Sequence, residues 1–245
     1  MEKRGFIFST NVAAAYNTAD SGWTLTAWEF TEPEFIENYI DVPGRLDGPI
    51  DASTALTDGD PRYKQRKLTA TFECSEGTRA EREGMITNMK QLLHGLSFSI
   101  EFPDYEGFHA RGRVRVERIY NDNAHASVRV TAVCEPWLYS NEETQVYIRL
   151  EVGETKAVEI ENNGRRLVFP SVNINNVGTR LWGDGSGGLS YSPHSMGRYA
   201  LDYDTEPLQL PDFFIWPGET FTLYCESDNT VGIHIIKLSY REAVL

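Results

Sequence analysis

One segment of the sequence has the spacing of a dinucleotide-binding loop. Gly183-Asp-Gly185-Ser-Gly-Gly188 matches G-x-G-x-x-G, a motif that works when a strand precedes it and a helix follows, because the helix amides then face the pyrophosphate. Here Leu189-Ser-Tyr-Ser-Pro193 follows, which is a poor helix start. The segment therefore indicates a flexible loop between strands, and the sequence predicts no cofactor.

Candidate metal ligands are scattered along the chain. The five histidines, at positions 94, 109, 125, 194 and 234, form no i, i+4 pair and have no cysteine at ligand spacing, so a transition-metal site is not predicted. Asn121-Asp-Asn123 and Asp202-Tyr-Asp204 carry oxygens that calcium could use. Turn capping explains such residues more simply, and we predict no metal site.

No set of catalytic residues stands out. The chain has no G-x-S-x-G elbow to hold a nucleophilic serine, and nothing marks a glycosidase-type pair among its 36 acidic residues. We therefore predict a protein that is not an enzyme. A group of aromatic residues could form a sugar-stacking platform, although core and loop packing is the interpretation we favour. These residues are Trp182, Tyr191, Tyr199, Tyr203, Phe213, Phe214 and Trp216.

Composition and charge exclude several classes of protein. The 245 residues are 40% hydrophobic and 24% charged, which is typical of globular proteins. The net charge is −13, with −6 on residues 1–139 and −7 on residues 140–245, and this argues against binding to nucleic acid through phosphate contacts. No apolar run reaches the ~18 residues needed to cross a membrane, so membrane insertion is not expected. The N-terminal apolar run is too short for a signal peptide and predicts a first strand.

The three cysteines are far apart. Cys74, Cys134 and Cys225 each lie in an apolar, strand-like run. This sparse, odd set fits neither a disulfide framework nor a zinc site. It predicts buried free thiols in a protein assembled in a reducing cytoplasm.

Most of the secondary structure that would position a site is predicted to be β-strand. Short runs rich in Val, Ile, Thr and aromatic residues alternate with turn residues. In the first half the predicted strands are Gly5–Val12, Trp23–Phe30, Ile36–Val42, Lys67–Cys74, Leu96–Phe102, His109–Tyr120 and His125–Leu138. In the second half they are Thr144–Val152, Ala157–Glu161, Val168–Asn175, Arg198–Asp202, Phe213–Trp216, Thr220–Cys225 and Gly232–Tyr240.

One helix has signals at both of its ends. Thr78-Arg-Ala-Glu81 has the spacing of a capping box, and His94-Gly95 supplies a helix end. An apolar stripe of Met85, Met89, Leu92 and Leu93 is predicted to face the core. A methionine-lined partner groove is the alternative for that stripe.

The hairpin from His109 to Leu138 has two distinct faces. Ala110, Gly112, Val114 and Val116 share a face with Ala126, Val128, Val130 and Ala132 in the predicted register, whereas Arg111, Arg113, Arg115 and Arg129 occupy the opposite face. The arginine stripe could bind an acidic neighbouring subunit or nucleic acid. A solvated face balanced by acids such as Glu117 is equally compatible with the pattern.

Turn residues are concentrated after the third predicted strand, in Val42-Pro-Gly-Arg-Leu-Asp-Gly-Pro49. Val42 precedes a proline and is therefore extended. Pro43-Gly44 suits a type II turn, and Asp47-Gly48 offers a second reversal. The segment predicts a rigid double turn.

The order of features along residues 36–139 resembles the siphophage distal tail protein family. It consists of the Val42–Pro49 turn, Tyr63-Lys-Gln-Arg66 before Leu68–Phe72, the helix ending Leu92-Leu-His-Gly95, Phe98–Tyr105, Gly112-Arg-Val114 and Cys134–Tyr139. Val168–Val172 and Ile215–Leu223 are more loosely similar to the family's C-terminal galectin-like sandwich.

The resemblance implies a mainly β protein. Residues 1–139 would form a β-rich α+β ring-forming domain with one helix, and residues 140–245 a galectin-like β-sandwich; a polar break, Ser140-Asn-Glu-Glu143, separates them. The implied role is structural. A homo-oligomeric, usually hexameric ring at the virion tail tip, assembled in the bacterial host cytoplasm, would join the tail tube to the tail-tip hub and to fibre or receptor-binding proteins.

Two further expectations follow from this resemblance. DNA would pass through the ring channel without specific binding, and we expect acidic side chains to outnumber basic ones on its lumen. A carbohydrate-binding sandwich that adheres to host polysaccharide is the alternative function, and a virion or a prophage origin is equally compatible with the sequence.

Overall fold

A computed structural model describes residues 5–10, 15–41, 48–55, 61–175, 179–183, 194–195, 208–209, 213–227 and 232–245. The chain divides into two compact units, one comprising residues 1–138 with Leu245 and the other residues 139–244. The boundary lies beside the sequence break after Tyr139, whereas the roles assigned to the two domains stay predictions. The predicted fold class, mainly β with one helix, is confirmed for the described residues.

The first unit contains nine strands and the helix, within the described residues. They are β1 (Ile7–Ser9), β2 (Tyr16–Asn17), β3 (Thr24–Phe30), β4 (Tyr39–Ile40), β5 (Ile50–Asp51), β6 (Arg66–Cys74), α1 (Arg79–Leu93), β7 (Ser97–Glu101), β8 (Phe108–Asn121) and β9 (Ala126–Ser140). One sheet has the strand order β2-β1-β7-β8-β9-β6-β3, and its eighth strand, β18 (Ala243–Val244), pairs with β9. Separately, β4 pairs with β5.

This sheet curls around its own core. Phe6, next to β1, makes edge-to-face contacts with Trp28 in β3 and Phe72 in β6, at ring-centroid distances of 5.7 Å and 5.9 Å. Because β1 lies toward one end of the strand order and β3 at the other, the two ends of the sheet must approach each other. The aromatic side chains thus fill a core enclosed by a strongly bent sheet.

The capping box predicted for α1 is confirmed. The Thr78 N–H donates to Glu81 Oε2 at 2.6 Å, and the Glu81 N–H donates to Thr78 Oγ1 at 3.3 Å. Gly95 follows the helix with a positive φ of 84°, a conformation that glycine adopts without strain.

The buried stripe of α1 differs from the predicted one. Met89 and Leu93 are buried as expected, but Met85 is only partly buried and Leu92 is 46% exposed. Arg82 and Ile86 complete the buried face instead. The prediction missed Arg82 because it counted apolar residues only, whereas this guanidinium has backbone carbonyls as partners.

The hairpin of β8 and β9 has the predicted faces. Seven of the eight small and apolar residues on its core face are buried, and Gly112 is partly buried. Gly112 sits where the two strands approach closely, since a Cβ built there would lie 2.6 Å from Cys134 Sγ and 2.8 Å from the Val133 carbonyl oxygen. The position therefore requires glycine.

Several strand predictions were wrong in extent. The structure reduces Ile36–Val42 to Tyr39–Ile40, and it leaves only Ile215 of Phe213–Trp216 paired, in an isolated bridge to Val168. Arg198–Asp202 lies outside the described residues. Strands that the sequence did not predict are β2, β5, Thr179–Gly183, His194–Ser195, Leu208–Gln209 and Ala243–Val244.

The second unit is a β-sandwich. Its strands are β10 (Thr144–Leu150), β11 (Thr155–Glu161), β12 (Ser171–Ile174), β13 (Thr179–Gly183), β14 (His194–Ser195), β15 (Leu208–Gln209), β16 (Thr220–Ser227), β17 (His234–Tyr240) and β18 (Ala243–Val244). One sheet has the order β10-β17-β12-β15 and the other β11-β16-β13-β14. Alternate residues of both sheets, including Ile236 and Leu238 of β17 and Phe221 and Leu223 of β16, form one buried core between them.

The three cysteines are free and buried, as predicted. Burial raises the pKa of Cys134 to about 12, although the nearby Arg66 opposes the shift, and it raises the pKa of Cys225 to about 12. Both groups are therefore neutral thiols that act as small apolar core residues.

Candidate assembly surface

The polar face of the sheet that contains β6, β8 and β9 carries a cluster of cations, which we name the basic face. Strand alternation places Arg111, Arg113 and Arg115 on the side of β8 opposite the core, and all three are exposed. Arg129 of β9 lies opposite Thr71 of β6. Lys67, four residues before Thr71 in β6, points to the same side of the sheet. The sequence analysis did not include Lys67 in the arginine stripe. The alternation of the predicted strand Lys67–Cys74 could have placed it there, because Lys67 lies on the polar face of that strand.

Two adjacent shallow grooves run along the basic face. One has a volume of about 530 Å³ and is lined by Lys67, Thr69, Thr71, Arg113, Arg115, Glu117, Arg129, Thr131, Ala132 and Val133. The other has a volume of about 520 Å³ and is lined by Ser9, Thr10, Gln65, Ser97, Phe98, Ser99, Arg111, Gly112, Arg113, Val133 and Glu135. Together they present five basic and two acidic side chains on a protein of net charge −13.

Most of these cations are available to a partner. Arg113 Nη1 donates to the Gly95 carbonyl oxygen at 2.8 Å. Among the residues that the structure describes, the side chains of Lys67, Arg115 and Arg129 form no salt bridge. Glu117, the acid expected to balance the charge of the arginine stripe, lines the same groove. It forms no salt bridge with Lys67, Arg115 or Arg129.

A second surface is formed by residues 31–41, 48–55 and 61–65, which we name the arm. The arm connects β3 to β6, which are neighbours in the sheet, and it continues their antiparallel pairing outward. The Ile36 N–H donates to the Arg62 carbonyl oxygen and the Lys64 N–H to that of Glu34, both at 2.8 Å. Farther along, β4 pairs with β5, with Ile40 opposite Ile50.

Side chains fix the base of the arm. The Tyr63 ring contacts Phe35 and Trp137, at centroid distances of 6.0 Å and 5.6 Å. Lys64 Nζ lies 2.7 Å from Glu34 Oε1. These contacts hold the base of the arm against Trp137 of β9.

The outer part of the arm is both apolar and acidic. Tyr39 is 55% exposed, Ile40 49% and Ile50 41%. The arm, as the described residues define it, contains five acidic and two basic residues. Asp51 accepts hydrogen bonds from the side chain and backbone of Ser53, which hold the pKa of its carboxyl below the usual range. The arm therefore carries carboxylates at neutral pH beside uncovered apolar side chains.

Most of the Val42–Pro49 turn, through which the family resemblance was first noted, lies outside the described residues. Of this segment the structure describes Gly48, with a positive φ of 88°, and Pro49. The positive φ fits the tight reversal predicted at Asp47-Gly48.

Asn121-Asp-Asn123 forms the turn of the β8–β9 hairpin. Asp122 Oδ1 accepts the N–H groups of Ala124 and His125 at 2.8 Å and 2.7 Å, which lowers the pKa of this carboxyl. Asn121 Nδ2 donates to Glu83 Oε2 at 2.9 Å. The Asp122 carboxylate, one of the groups considered for calcium, thus caps the turn. Asp202-Tyr-Asp204 lies outside the described residues, as does the glycine-rich run after Gly183.

Three of the five histidines, His94, His125 and His234, lie in separate environments. The His94 ring accepts the Val116 N–H at 3.1 Å, and buried His234 lies 2.9 Å from Thr179 Oγ1. His125 belongs to the hairpin turn. The described residues contain no cluster of three His, Cys, Asp or Glu side chains suited to a metal ion.

Aromatic residues also gather in the second unit. Trp182 stacks on Tyr224 with a centroid distance of 5.6 Å and an angle of 10°. Phe214 contacts Phe169 and Trp216, and Phe169 is 49% exposed. Phe213, in contrast, is fully buried in the core. Tyr191, Tyr199 and Tyr203 lie outside the described residues.

Comparison with known proteins gives a clear result for structure and none for sequence. No protein-family model and no curated protein matches the sequence. The structure is similar to the crystal structure of the Dit protein (gp 19.1) of phage SPP1, with a TM-score of 0.61 and 14% identity over 100% of both chains.

The chain has the distal tail protein fold.

This fold extends over both units, because the match to the SPP1 protein covers the whole of each chain. Two structures of the phage P2 baseplate in its activated conformation, with Ca and with Sr, also match. Their TM-scores are 0.48 and 0.46, with identities of 9% and 10%; each covers at least 96% of both chains.

Two segments that first suggested the distal tail protein fold of the C-terminal half are neighbours in the structure. Val168 and Ile215 exchange backbone hydrogen bonds of 3.2 Å and 3.0 Å. Both side chains belong to the sandwich core. No helix in the described part of the chain is long and apolar enough to span a membrane.

Proposed function

We propose that this protein is a distal tail protein, a structural subunit of a phage tail tip. The observation that carries the proposal is the match to SPP1 Dit over the full length of both chains. That protein is described as a paradigm of the hub adsorption apparatus in phages that infect Gram-positive bacteria. The proposed role is mechanical connection and involves no catalysis.

In the proposed assembly, the first units of several copies form a closed ring, usually of six copies. The ring joins the tail tube to the tail-tip hub and to fibre or receptor-binding proteins. Two features support this proposal. Within the described residues β3 is the last strand of its sheet, and Tyr39, Ile40 and Ile50 of the arm are exposed. Both are liabilities in an isolated chain, and ring closure would cover them.

Electron microscopy and native mass spectrometry of the purified full-length protein test the ring. We expect ring-shaped particles with six-fold symmetry and a mass six times that of the 27.8 kDa chain. Co-expression with the tail tube protein encoded by the same phage or prophage should yield a complex of the two. A protein that forms neither rings nor such a complex would contradict the proposal.

A carbohydrate-binding role for the second unit is the alternative. It is favoured by the Phe169, Phe214 and Trp216 cluster, because partly exposed aromatic rings can stack on sugars. A glycan array would show binding that the double variant Phe169→Ala/Trp216→Ala loses. The matched control is Tyr147→Ala, which removes another exposed ring, outside the cluster. Equal binding by both variants, or none by the wild type, would exclude this role for the cluster.

A further inference from the structure

We infer that the basic face binds the sugar–phosphate backbone of duplex DNA. The cations that carry the contact are Lys67, Arg111, Arg113, Arg115 and Arg129. The inference goes beyond the proposed function, which is mechanical connection, and it is independent of ring formation because each copy carries the whole face. Binding through phosphates is also independent of base sequence, since the backbone is the same at every base pair.

Local charge is the first argument. The two grooves of the basic face present five basic and two acidic side chains on a chain of net charge −13. Charges that lie beyond the Debye length, ~10 Å at 0.1 M salt, contribute little to the potential at this surface. The net charge that argues against nucleic acid at the level of composition is therefore not the charge that a ligand on the basic face meets.

The spacing of the cations is the second argument. Arg111, Arg113 and Arg115 follow one side of β8, so that the first and last lie roughly 14 Å apart at ~3.4 Å per residue. Arg129 and Lys67 extend the face across β9 and β6, over roughly 10 Å at ~4.8 Å per strand. Duplex DNA carries one phosphate per ~1.7 Å of its axis. A length of roughly 14 Å thus presents about eight phosphates, about four of them toward the protein.

Hydroxyl groups between the cations add donors for phosphate oxygens. Thr69, Thr71 and Thr131 line one groove, and Ser97 and Ser99 line the other. Side chains of these types share the backbone contacts of DNA-binding proteins with Arg and Lys. The guanidinium groups supply parallel pairs of N–H donors that fit two phosphate oxygens. The basic face therefore combines the charges and the hydrogen-bond donors that a phosphate backbone requires.

The cations can bind phosphate without first losing an ion pair. Among the described residues, the side chains of Lys67, Arg115 and Arg129 form no salt bridge. Arg113 lines both grooves, and its Nη1 donates to the Gly95 carbonyl oxygen at 2.8 Å. That hydrogen bond fixes the Arg113 guanidinium at the junction of the grooves, which lowers the entropy lost when a phosphate binds.

An acidic protein is the other partner that charge alone would allow. Protein interfaces have a desolvated apolar centre. Of the described residues that line the grooves, Val133 is 51% exposed, whereas Ala132 and Phe98 are only 1% and 8% exposed. One valine is a small centre for a protein partner. Because Phe98 is buried, these residues also offer no exposed ring on which the bases of single-stranded DNA could stack. The surface therefore favours the backbone of a duplex.

Fluorescence anisotropy of the full-length protein with duplex DNA tests the inference. The probe is a labelled duplex of about 20 base pairs, and a second duplex of unrelated sequence should bind equally well. We expect dissociation constants between about 1 and 100 μM near physiological salt. The affinity should fall on the order of 100-fold between about 50 and 200 mM salt, because about four phosphates release their counterions.

Substitution of two cations identifies the surface responsible. Arg115→Gln/Arg129→Gln removes two positive charges and should reduce the slope of log K against log salt by about 1.8, or about 0.9 for each phosphate contact. The matched control, Arg79→Gln/Lys90→Gln, makes the same charge change at exposed positions of α1 that line neither groove. Its slope should equal that of the wild type. Circular dichroism and thermal unfolding establish that each variant is folded.

The possible failures are distinguishable. Absence of binding in about 50 mM salt, or an unchanged slope in Arg115→Gln/Arg129→Gln, would overturn the inference. Binding of poly-glutamate in place of DNA, lost in the same variant, would reassign the basic face to an acidic protein. A chain that stays monomeric would count against the proposed ring alone, because the DNA titration needs only single copies.

Discussion

Arg82 is a buried charge whose partners are backbone carbonyls. Its side chain is 1% exposed, with Nη1 donating to Gly77 at 2.5 Å and Nη2 to Asp122 at 2.9 Å. It thereby joins the start of α1 to the turn of the β8–β9 hairpin. We expect Arg82→Met to lower the free energy of unfolding by about 2–4 kcal/mol, because both carbonyls lose a charged donor. Urea titration measures this, and Arg79→Met, at an exposed position, should change stability by less than about 0.5 kcal/mol.

Two glycines give opposite predictions for the same substitution. A Cβ at Gly112 would clash with Cys134 Sγ and the Val133 carbonyl, so Gly112→Ala should destabilise the protein by about 1–3 kcal/mol. Gly84 lies within α1, and apart from its chain neighbours and the backbone of the helix itself no heavy atom lies within 4 Å of a built Cβ. Gly84→Ala should therefore stabilise the protein by about 0.5–1 kcal/mol. Thermal unfolding of the two variants in parallel checks both signs; a loss at Gly84 would contradict this account of the helix.

Cys134 and Cys225 should be chemically inert in the folded protein. Burial raises the pKa of each to about 12, and the thiolate is the reactive form. At pH 8 we expect negligible reaction of either group with a disulfide reagent in native buffer. Three equivalents should react in concentrated urea, one for each free cysteine. Rapid native labelling of Cys134 or Cys225, located by peptide mapping, would disprove their inertness.

The capping box of α1 makes part of the stability depend on pH. The Glu81 carboxylate accepts a hydrogen bond from the Thr78 N–H, and this bond is the main reason that its pKa lies below the ordinary value of 4.5. Since the folded-state pKa is the lower one, the stabilisation is complete above pH 4.5 and is lost as the pH falls through the folded-state pKa. The stability difference between the wild type and Glu81→Gln should therefore narrow on acidification, as followed by urea unfolding between pH 7 and pH 3.

A constant difference across that range would show that the capping interaction involves no ionised carboxylate. Thr78→Ala is the companion variant, because it removes the other half of the box. It should cost about 1 kcal/mol at neutral pH.

The elements with strong periodicity were predictable from sequence. The β8–β9 hairpin alternates from Ala110 to Glu117 and from Val128 to Glu135, and α1 has capping residues at one end and glycine after the other. Strands of two residues, such as β2 and β14, have no period to detect and exist because a longer neighbour offers a hydrogen-bonding edge. Arg82 escaped prediction for a related reason, since its burial depends on carbonyls brought together by the tertiary fold.

Of the two candidate surfaces, the basic face could be predicted from the sequence and the arm could not. Alternation in β8 separates the arginine stripe from the core without any knowledge of the fold. The arm could not be recognised in the same way, because its pairing joins residues such as Ile36 and Arg62 that are far apart in the chain. Its five acidic residues are visible in the sequence, but which of them lie on neighbouring chain segments depends on that pairing.

At the scale of the whole molecule, the two compact units predict separable folding. The second unit has its own buried core between two sheets. A fragment comprising residues 139–245 should therefore unfold cooperatively, with the transition temperature of one of the two steps seen in the full-length chain. Differential scanning calorimetry of the fragment and the full chain makes the comparison. A fragment without a cooperative transition would show that the sandwich depends on the first unit.

The arm interrupts two strands that are direct neighbours, β3 and β6. The sheet can therefore close whatever the arm contains, and lengthening such an insertion twofold costs only about 0.6 kcal/mol of closure entropy. Because the core imposes so little on this segment, its sequence is free to diversify by mutation, insertion or recombination. Mutations in the arm can therefore change what it contacts without disturbing the sheet that keeps the domain folded.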